Sequence, residues 1–584
     1  MSKPTALDFV SFAFDAQRDY EATKPLFIDA QVPDRSLNSI QARSLVRRLV
    51  SGFRAAGLGK GEGVLVSVSN NYLYAALLYG IIGFGGIACG VNAAYKFEEL
   101  DHLTRQFEPK SIIATQESLP TVLAVAQANK IPINRIFLLD DLAAPLEPIS
   151  VTSDQEYNPS QAKSNSSLGN DRETRSFTDL LHHGESDWMT LHSEEVVKTT
   201  PAIFYPTSGT SGLPKLAMLS HQNLIEQHRA IYRPVPYDVV RMLCLPCFHM
   251  FGAAWLMACP LRYGEPAYIM QRFHLETYLR NLSRFGATEA YITPPIVHML
   301  NKTPLPVREL MSTVRWTGVG GAPIDAGALR RFQQAALQPC TTLSQVWGMT
   351  EIGIACLFHY GDKDVDLAAV GRLQPGYHIK LVDPETGREV AAEEQVPAEL
   401  LVRSPNIMMG YKATPSPREE GSAWFPTGDL VEVRNGRFYI VGRNKELIKT
   451  RGWQVAPAEV EGVIMQHPGV SDCAVVGVSS SDGTTEVPRA YVIRKDPGAA
   501  AGVTCDDVYN IVKTSLASYK RLEGGVVFVD TIPRTASGKT QRFRLVGMAA
   551  ASSDGAKPAE KKLSLAEWAR KAAWKFVSTV KQML

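Results

Sequence analysis

The chain has 584 residues, of which 45% are hydrophobic and 21% charged, a composition typical of a folded globular protein rather than a disordered or collagen-like one. Its 61 basic and 59 acidic residues nearly cancel, which argues against the basic surface of a nucleic-acid-binding protein. Eight cysteines scattered over this length form no disulfide framework and fit a reducing compartment. We therefore expect a cytoplasmic protein with no nucleic-acid partner.

The first 145 residues alternate short apolar strands with helical patterns. A helix is predicted over 39–56 and strands over 64–70 and 111–114. The uncharged segment 72–91 is long enough to span a bilayer, but its five glycines and the strand before it favour a buried strand–helix–strand unit. This alternation predicts an α/β fold with largely parallel sheets.

The residue pattern of the chain changes at about residue 150 and again beyond Arg443. Polar residues dominate 150–195, which predicts a surface loop or disordered insertion. Strands at 379–383 and 399–404 alternate as in a half-exposed sheet. Beyond Arg443 one helix and several strands predict a small α+β domain.

The tail, 551–584, is a linker followed by a predicted amphipathic basic helix. Ser564 and Glu567 form a capping box at its start. The helix is predicted to pack on its own protein, with contact to a membrane surface or a partner as the alternative. The chain ends in KQML, not a peroxisomal tripeptide, so the peroxisome stays a secondary alternative to the cytoplasm.

The strongest chemical signal is YPTSGTSGLPK at 205–215. Glycines allow a tight turn in which N–H and hydroxyl groups surround phosphate oxygens, while Lys215 supplies positive charge. A Walker A loop is excluded because Leu213 and Pro214 follow the glycine. The predicted phosphate-binding residues are Thr207, Ser208, Gly209, Thr210, Ser211, Gly212 and Lys215.

Four more motifs follow in order: QVWGMTE, FPTGDL, GRNKELIKTRGWQVAPAEVE and PRTASGKTQR. With the first, they resemble the adenylate-forming superfamily, which includes acyl- and aryl-CoA synthetases, 4-coumarate–CoA ligases, luciferases and peptide-synthetase adenylation domains. The resemblance covers most of the chain. It implies a large N-terminal domain, 1–443, of stacked α/β subdomains plus a barrel-like β subdomain, and a small mobile α+β lid domain, 444–550.

The resemblance also implies a nucleotide site for ATP. The loop that ends at Lys215 would hold the β- and γ-phosphates, Thr350 the α-phosphate, and Glu351 a Mg²⁺ ion. Asp429 would accept hydrogen bonds from the ribose, supported by Arg443. The residues implied to contact the adenine are Gly320, Gly321, Ala322, Pro323 and, stacking on the base, Trp347.

Two catalytic faces of the small domain are implied in the same way. Lys539 would stabilise the charge that develops as a carboxylate attacks the α-phosphorus. Rotation about the hinge residue Lys445 would then present Lys449 and a coenzyme A site formed by Gly452 and Trp453.

The pocket for the acid is predicted around CFHMFG at 247–252. No charge occurs in 250–261, and a buried charge without a partner is costly, so the acid should be hydrophobic, either medium-to-long aliphatic or aryl. Resemblance to relatives implies that His249 stands at its entrance and that Val346 and Trp347 reshape its inner end. The predicted lining residues are His249, Phe251, Val319, Val346 and Trp347.

These patterns together predict an ATP-dependent ligase that activates a small-molecule carboxylic acid as acyl-AMP and transfers it to coenzyme A. One alternative acceptor is the phosphopantetheine thiol of an acyl carrier domain. Another alternative is a catalytically silent relative that binds acyl chains or nucleotide. The intact Lys215, Thr350, Glu351, Asp429 and Lys539 argue against that silent relative.

Overall fold

A computed structural model describes residues 7–16, 19–139, 174–207, 214–412, 423–443, 446–451, 453–480, 484–495, 502–535 and 539–553. The helices of its large N-terminal part are α1 (Phe9–Phe14), α2 (Ser39–Ala55), α3 (Tyr74–Gly83), α4 (Phe97–Phe107), α5 (Leu119–Ala128), α6 (Glu194–Thr199), α7 (His221–Ile231), α8 (Met250–Leu256), α9 (Ala258–Tyr263), α10 (Leu275–Arg284), α11 (Pro294–Lys302), α12 (Val307–Leu310) and α13 (Ala326–Ala336).

The strands of this large part form two sheets. The first strands in chain order are β1 (Pro25–Asp29), β2 (Ser36–Asn38), β3 (Gly63–Ser67), β4 (Ile87–Gly90), β5 (Ser111–Ala114), β6 (Ile136–Leu138), β7 (Arg175–Ser176), β8 (Pro201–Thr207), β9 (Lys215–Ser220), β10 (Arg241–Leu243) and β11 (Ala267–Ile269). The others are β12 (Glu289–Ile292), β13 (Trp316–Gly320), β14 (Thr342–Met349), β15 (Gly353–Leu357), β16 (Gly371–Leu373), β17 (His378–Val382), β18 (Glu389–Val390), β19 (Ala398–Arg403), β20 (Gly410–Tyr411), β21 (Phe425–Arg434) and β22 (Arg437–Arg443).

The small C-terminal part is a separate α+β unit. Its elements are β23 (Ile448–Thr450), β24 (Trp453–Val455), α14 (Pro457–Ile464), β25 (Val470–Ser479), β26 (Glu486–Arg494), α15 (Cys505–Ser515), β27 (Val526–Phe528) and α16 (Arg542–Ser553). The helix and strands expected beyond Arg443 are therefore confirmed. The unit docks on the large part, where Lys302 Nζ donates to the Ser471 carbonyl at 2.9 Å. The tail helix predicted around Ser564 lies outside the described residues.

The first sheet contains the predicted strand–helix–strand unit. Among the described residues its order is β20-β9-β8-β4-β3-β5-β6-β7, and β3, β4, β5 and β6 run parallel. All of α3 is buried, and a Cβ on its Gly80 would lie 2.5 Å from Leu49 Cβ on α2, so glycine permits this close helix packing. Within the described ranges, no helix is both long and apolar enough to cross a bilayer.

The segment 174–195 corrects the prediction of a polar insertion over 150–195. β7 adds in parallel to β6, and a short 3-10 helix follows at Phe177–Leu181. Phe177, Leu180 and Leu181 are buried against the core. Their spacing of three and four is helical, but the surrounding polar residues concealed it. The rest of the predicted insertion, 150–173, lies outside the described residues.

The second sheet carries strands at whose ends predicted site residues lie. Its order among the described residues is β18-β17-β19-β21-β22-β16-β15-β14-β13-β12-β10-β11-β1-β2. From β14 through β1 the neighbouring strands are parallel, so the carboxyl ends of β13 and β14 meet at one edge, with Gly320 paired to Val346. The barrel-like subdomain implied by the resemblance corresponds to the antiparallel strands β15–β19, β21 and β22, which continue the same ladder.

A buried ion cluster lies on the parallel part of this sheet. Arg241 of β10 pairs with Glu265 and, at 3.3 Å, with Glu289. Its Nε donates to the Tyr291 hydroxyl at 3.0 Å. All four residues are buried, so each carboxylate depends on Arg241 for compensation of its charge.

Replacing Arg241 by methionine should lower the free energy of unfolding by about 3 kcal/mol, because two buried carboxylates would lose their cation. Urea denaturation followed by tryptophan fluorescence measures this. Arg280→Met is the matched control, since Arg280 is exposed and bridges Glu276 on the surface of α10, and its loss should cost below about 0.5 kcal/mol. An equal shift of the two unfolding midpoints would contradict the role of the cluster.

Candidate active site

A cavity of about 1840 Å³ lies between the large and the small part. It brings together residues from motifs that are far apart in the sequence. The sequence-predicted residues on its wall are Thr207, His249, Gly321, Ala322, Pro323, Val346, Trp347, Asp429, Arg443 and Lys539. Among the described residues, a single cleft thus holds most of those predicted to bind the nucleotide.

Asp429 occupies a fixed position on β21, directly paired with Arg443 on β22. Its Oδ1 lies 2.9 Å from Arg443 Nε, and its Oδ2 accepts a hydrogen bond from Trp347 Nε1 at 2.9 Å. Asp429 is 3% exposed, so these bonds set the orientation of its carboxylate, and each oxygen keeps a lone pair for a ligand hydroxyl. The resemblance implies only a stacking role for Trp347, so its hydrogen bond to Asp429 is a contact that the sequence does not predict.

Lys539 of the small part lies on the wall of the same cavity as Asp429. Its backbone N–H donates to Thr535 Oγ1 at 3.1 Å, which closes the turn before α16. Burial lowers the pKa of Lys539, and the nearby charge of Arg443 lowers it further, whereas Glu351 and Asp429 act in the opposite direction. The charge state of Lys539 in the small part therefore depends on the charges of Glu351, Asp429 and Arg443 in the large part.

The phosphate-loop motif connects two antiparallel strands of the first sheet. Thr207 ends β8 and pairs with Lys215 at the start of β9. The residues between them that the sequence also predicts as ligands, Ser208, Gly209, Thr210, Ser211 and Gly212, lie outside the described residues. Thr207 itself lies on the wall of the cleft, and Lys215 pairs with it across the two strands.

Thr350 and Glu351 follow β14 directly and are both buried. Glu351 Oε1 accepts a hydrogen bond from the Tyr411 hydroxyl at 2.7 Å, and Lys215 Nζ lies 5.1 Å from the centre of the same ring. Tyr411 was missed by the sequence analysis, because a tyrosine in a GYK sequence carries no spacing signal of its own.

A magnesium ion fits this donor set only as a companion of phosphate. The described residues contain no group of three or more His, Cys, Asp or Glu side chains placed to hold a metal. Mg²⁺ commonly binds through one or two carboxylates together with substrate phosphates and water. The single carboxylate of Glu351 suits an ion that arrives with a nucleoside triphosphate.

The inner wall of the cleft is tightly packed. A Cβ on Gly320 would lie 2.8 Å from the Val346 carbonyl oxygen and 3.2 Å from Phe251 Cζ, so only glycine fits there. Phe251 and Val319 are buried beside this contact, whereas Val346 and His249 reach the cavity wall.

His249 has two roles in the fold of the cleft. Its Nδ1 accepts the Phe251 N–H at 3.3 Å and caps α8, while its ring also lines the cavity. Burial, with a smaller effect of Lys539, lowers the pKa of His249 to about 3, so the ring is neutral at physiological pH. Because Nδ1 accepts, the ring proton is on Nε2.

The two described residues of the predicted second catalytic face are not on the wall of this cleft. Lys449 is exposed on β23, where its N–H donates to Glu486 at 3.0 Å. Trp453 is 58% exposed and stacks on Tyr519 at 4.6 Å. The other two predicted residues of this face and hinge, Lys445 and Gly452, lie outside the described residues. Their roles stay predictions.

Comparison with known proteins places these features in context. A family model described as AMP-binding enzyme matches residues 14–412, and one described as AMP-binding enzyme C-terminal domain matches 459–539. The nicotinic acid-CoA ligase pyr1 of Aspergillus fumigatus is 39% identical over 570 residues, covering 92% of this chain and 95% of that protein. The nicotinic acid-CoA ligase olcI of Penicillium canescens is 41% identical over 542 residues, covering 92% and 97%.

Solved structures share the fold over almost the whole chain. ATP-bound MatB from Rhodopseudomonas palustris superposes with a TM-score of 0.76 at 25% identity, covering 93% of this chain and 99% of that one.

Proposed function

The chain belongs to the family of AMP-binding enzymes and is an ATP-dependent acid–CoA ligase; on that premise we propose that it activates a compact aromatic carboxylic acid with no further charge. The relatives' names agree with this proposal, since nicotinic acid is such an acid. The proposal narrows the two acid classes, aliphatic and aryl, that the sequence leaves open.

The observation that carries the proposal is an aromatic wall behind the cleft. Trp255 lies one helical turn beyond Phe251 on α8, so the two side chains share a face. The Trp255 ring stacks on Tyr291 at 4.5 Å and lies 5.9 Å from Trp316 on β13. Because these buried rings pack on the same helix as Phe251, we expect them to block a long aliphatic chain beyond that residue.

The absence of charge on α8 supports the second part of the proposal. Every residue of Met250–Leu256 is buried and uncharged. A charged substituent on the acid would be desolvated there without a counter-charge, which is costly. His249, which is neutral, provides no compensation.

The proposed ligation proceeds in two steps. An oxygen of the acid's carboxylate attacks the α-phosphorus of ATP, forming acyl-AMP and breaking the bond to pyrophosphate; Lys539 stabilises the negative charge that develops. The thiol of CoA then attacks the acyl carbon, AMP leaves, and the thiol proton is released. Asp429 holds the ribose through both steps. Mg²⁺ bound with ATP would be held by Glu351 and would neutralise charge on the departing pyrophosphate.

Acid-dependent ATP–pyrophosphate exchange tests the proposal with benzoate, nicotinate, cinnamate, octanoate, palmitate and phenylalanine. Exchange should be fastest with a compact aromatic acid, and AMP should be released only when CoA is added. A phosphopantetheinylated carrier domain in place of CoA tests the alternative acceptor. Fastest exchange with palmitate or phenylalanine would contradict the proposal.

The wall itself can be tested by Trp255→Leu. Opening the space behind Phe251 should raise the octanoate-to-benzoate exchange ratio by about tenfold, since a few methylenes in an apolar pocket change specificity by that order. Trp188→Leu is the matched control, because this buried tryptophan packs on Phe14, away from the cleft. An unchanged ratio in the folded Trp255→Leu variant would mean that the wall does not select the acid.

A further inference from the structure

Tyr411 lies where the two sheets of the large domain meet beside the cleft. Its short strand β20 pairs antiparallel with β9, and the Lys412 N–H donates to the Leu216 carbonyl at 2.9 Å. On the other side the Met408 N–H donates to the Glu351 carbonyl at 2.8 Å. The backbone around Tyr411 is therefore tied both to the strand that begins at Lys215 and to the turn that carries Glu351.

The Tyr411 side chain also contacts both of these segments, through Glu351 and Lys215. Its hydroxyl donates to Glu351 Oε1 at 2.7 Å, a bond strengthened by the charge of the acceptor. The Lys215 ammonium lies 5.1 Å from its ring centre, within the range of a cation–π interaction. One ring thus contacts both groups that the proposed function assigns to the metal and the phosphates.

The hydrogen bond from the Tyr411 hydroxyl restricts the rotation of the Glu351 carboxylate before any nucleotide binds.

We propose that Tyr411 is a positioning residue that holds Glu351 and Lys215 in one geometry, so that the metal ion and the β- and γ-phosphates of ATP are bound as a unit. This inference rests on the proposed function. It predicts that Tyr411 contributes to the binding of a metal–triphosphate but not to the binding of AMP, which brings neither the metal nor the outer phosphates.

Tyr411→Phe keeps the ring under Lys215 and removes only the bond to Glu351. With Mn²⁺ and the non-hydrolysable α,β-methylene ATP as probes, this variant should bind Mn²⁺ about tenfold more weakly by electron paramagnetic resonance, the order expected for one lost hydrogen bond to a charged group. Its affinity for AMP, measured by calorimetry, should be unchanged. Tyr411→Leu also removes the ring and should weaken Mn²⁺-analogue binding further.

Tyr377→Phe is the matched control. The Tyr377 hydroxyl donates to the Ile352 carbonyl at 2.6 Å, one residue from Glu351, so this variant also loses a phenol hydrogen bond in the same turn. It should retain wild-type Mn²⁺ affinity. Equal Mn²⁺ affinity in Tyr411→Phe and wild type, or equal weakening in both variants, would overturn the inference.

The two proposals fail differently. If the wild-type enzyme catalyses no pyrophosphate exchange with any acid of the panel, the proposed function fails. If wild type exchanges but Tyr411→Phe binds the Mn²⁺-analogue complex normally, only the positioning role of Tyr411 fails.

Discussion

Lys539→Ala should lower acid-dependent ATP–pyrophosphate exchange by about a thousandfold, the loss typical of removing one group that stabilises transition-state charge in a closed site. The structure gives the reason: Lys539 comes from the small domain to the wall of the cleft, where the charges of Glu351 and Asp429 act on its ammonium. Among the described residues of the small domain, it is the one lysine on the cavity wall. Affinity for AMP should change little, because the ribose contacts remain.

Lys513→Ala is the matched control, since Lys513 is exposed on α15 of the same domain, and its exchange rate should equal that of wild type. Exchange by Lys539→Ala near the wild-type rate would contradict the catalytic role. Such a result would also mean that the observed docking of the small domain is not the arrangement in which adenylation occurs.

The lowered pKa of Lys539 adds a pH dependence to this prediction. Burial favours the neutral amine, so the ammonium is lost as pH rises through a pKa below its ordinary 10.5. The exchange rate of wild type should therefore fall at a lower alkaline pH than a solvent-exposed lysine would give. Lys539→Arg keeps its charge over that range and should shift the alkaline limb upward, whatever its absolute rate.

Short contiguous motifs were the part of the site that the sequence could predict. Gly320, Thr350, Glu351 and Asp429 could be predicted as site residues because each belongs to a motif of a few consecutive residues, in or directly after a strand. The α/β order and the small C-terminal domain were predictable for the same reason, since period and turn residues are local signals.

Contacts between distant segments were not predictable in this way. The role of Tyr411 depends on β20 pairing with β9, and the bond from Trp347 to Asp429 depends on how β14 approaches β21. The residues around Phe177 were missed because polar neighbours diluted their apolar spacing. In each case tertiary packing, which a single sequence does not display, decides the outcome.

Asp429→Asn should raise the KM for ATP and the dissociation constant for AMP by about a hundredfold, as expected when one partner of a buried charged pair is neutralised. The carboxylate accepts from Arg443 on one oxygen and from Trp347 on the other. An amide has one oxygen only, so its NH₂ group must face one of these two donors. The ribose hydroxyls then lose both a charge and a fixed acceptor.

A double-mutant cycle with Trp347→Phe isolates the unfavourable contact between the NH₂ group introduced by Asp429→Asn and the indole N–H of Trp347. Phenylalanine removes the indole N–H, so the amide introduced by Asp429→Asn can turn its NH₂ toward that side while its oxygen still accepts from Arg443. The loss of AMP affinity on Asp429→Asn should therefore be smaller in the Trp347→Phe background than in wild type. Asp366→Asn serves as the matched control, because Asp366 accepts from the Tyr439 hydroxyl at 2.9 Å outside the cleft. Wild-type AMP affinity in Asp429→Asn would exclude this carboxylate from the ribose site, and equal losses in both backgrounds would mean that the indole bond does not orient it.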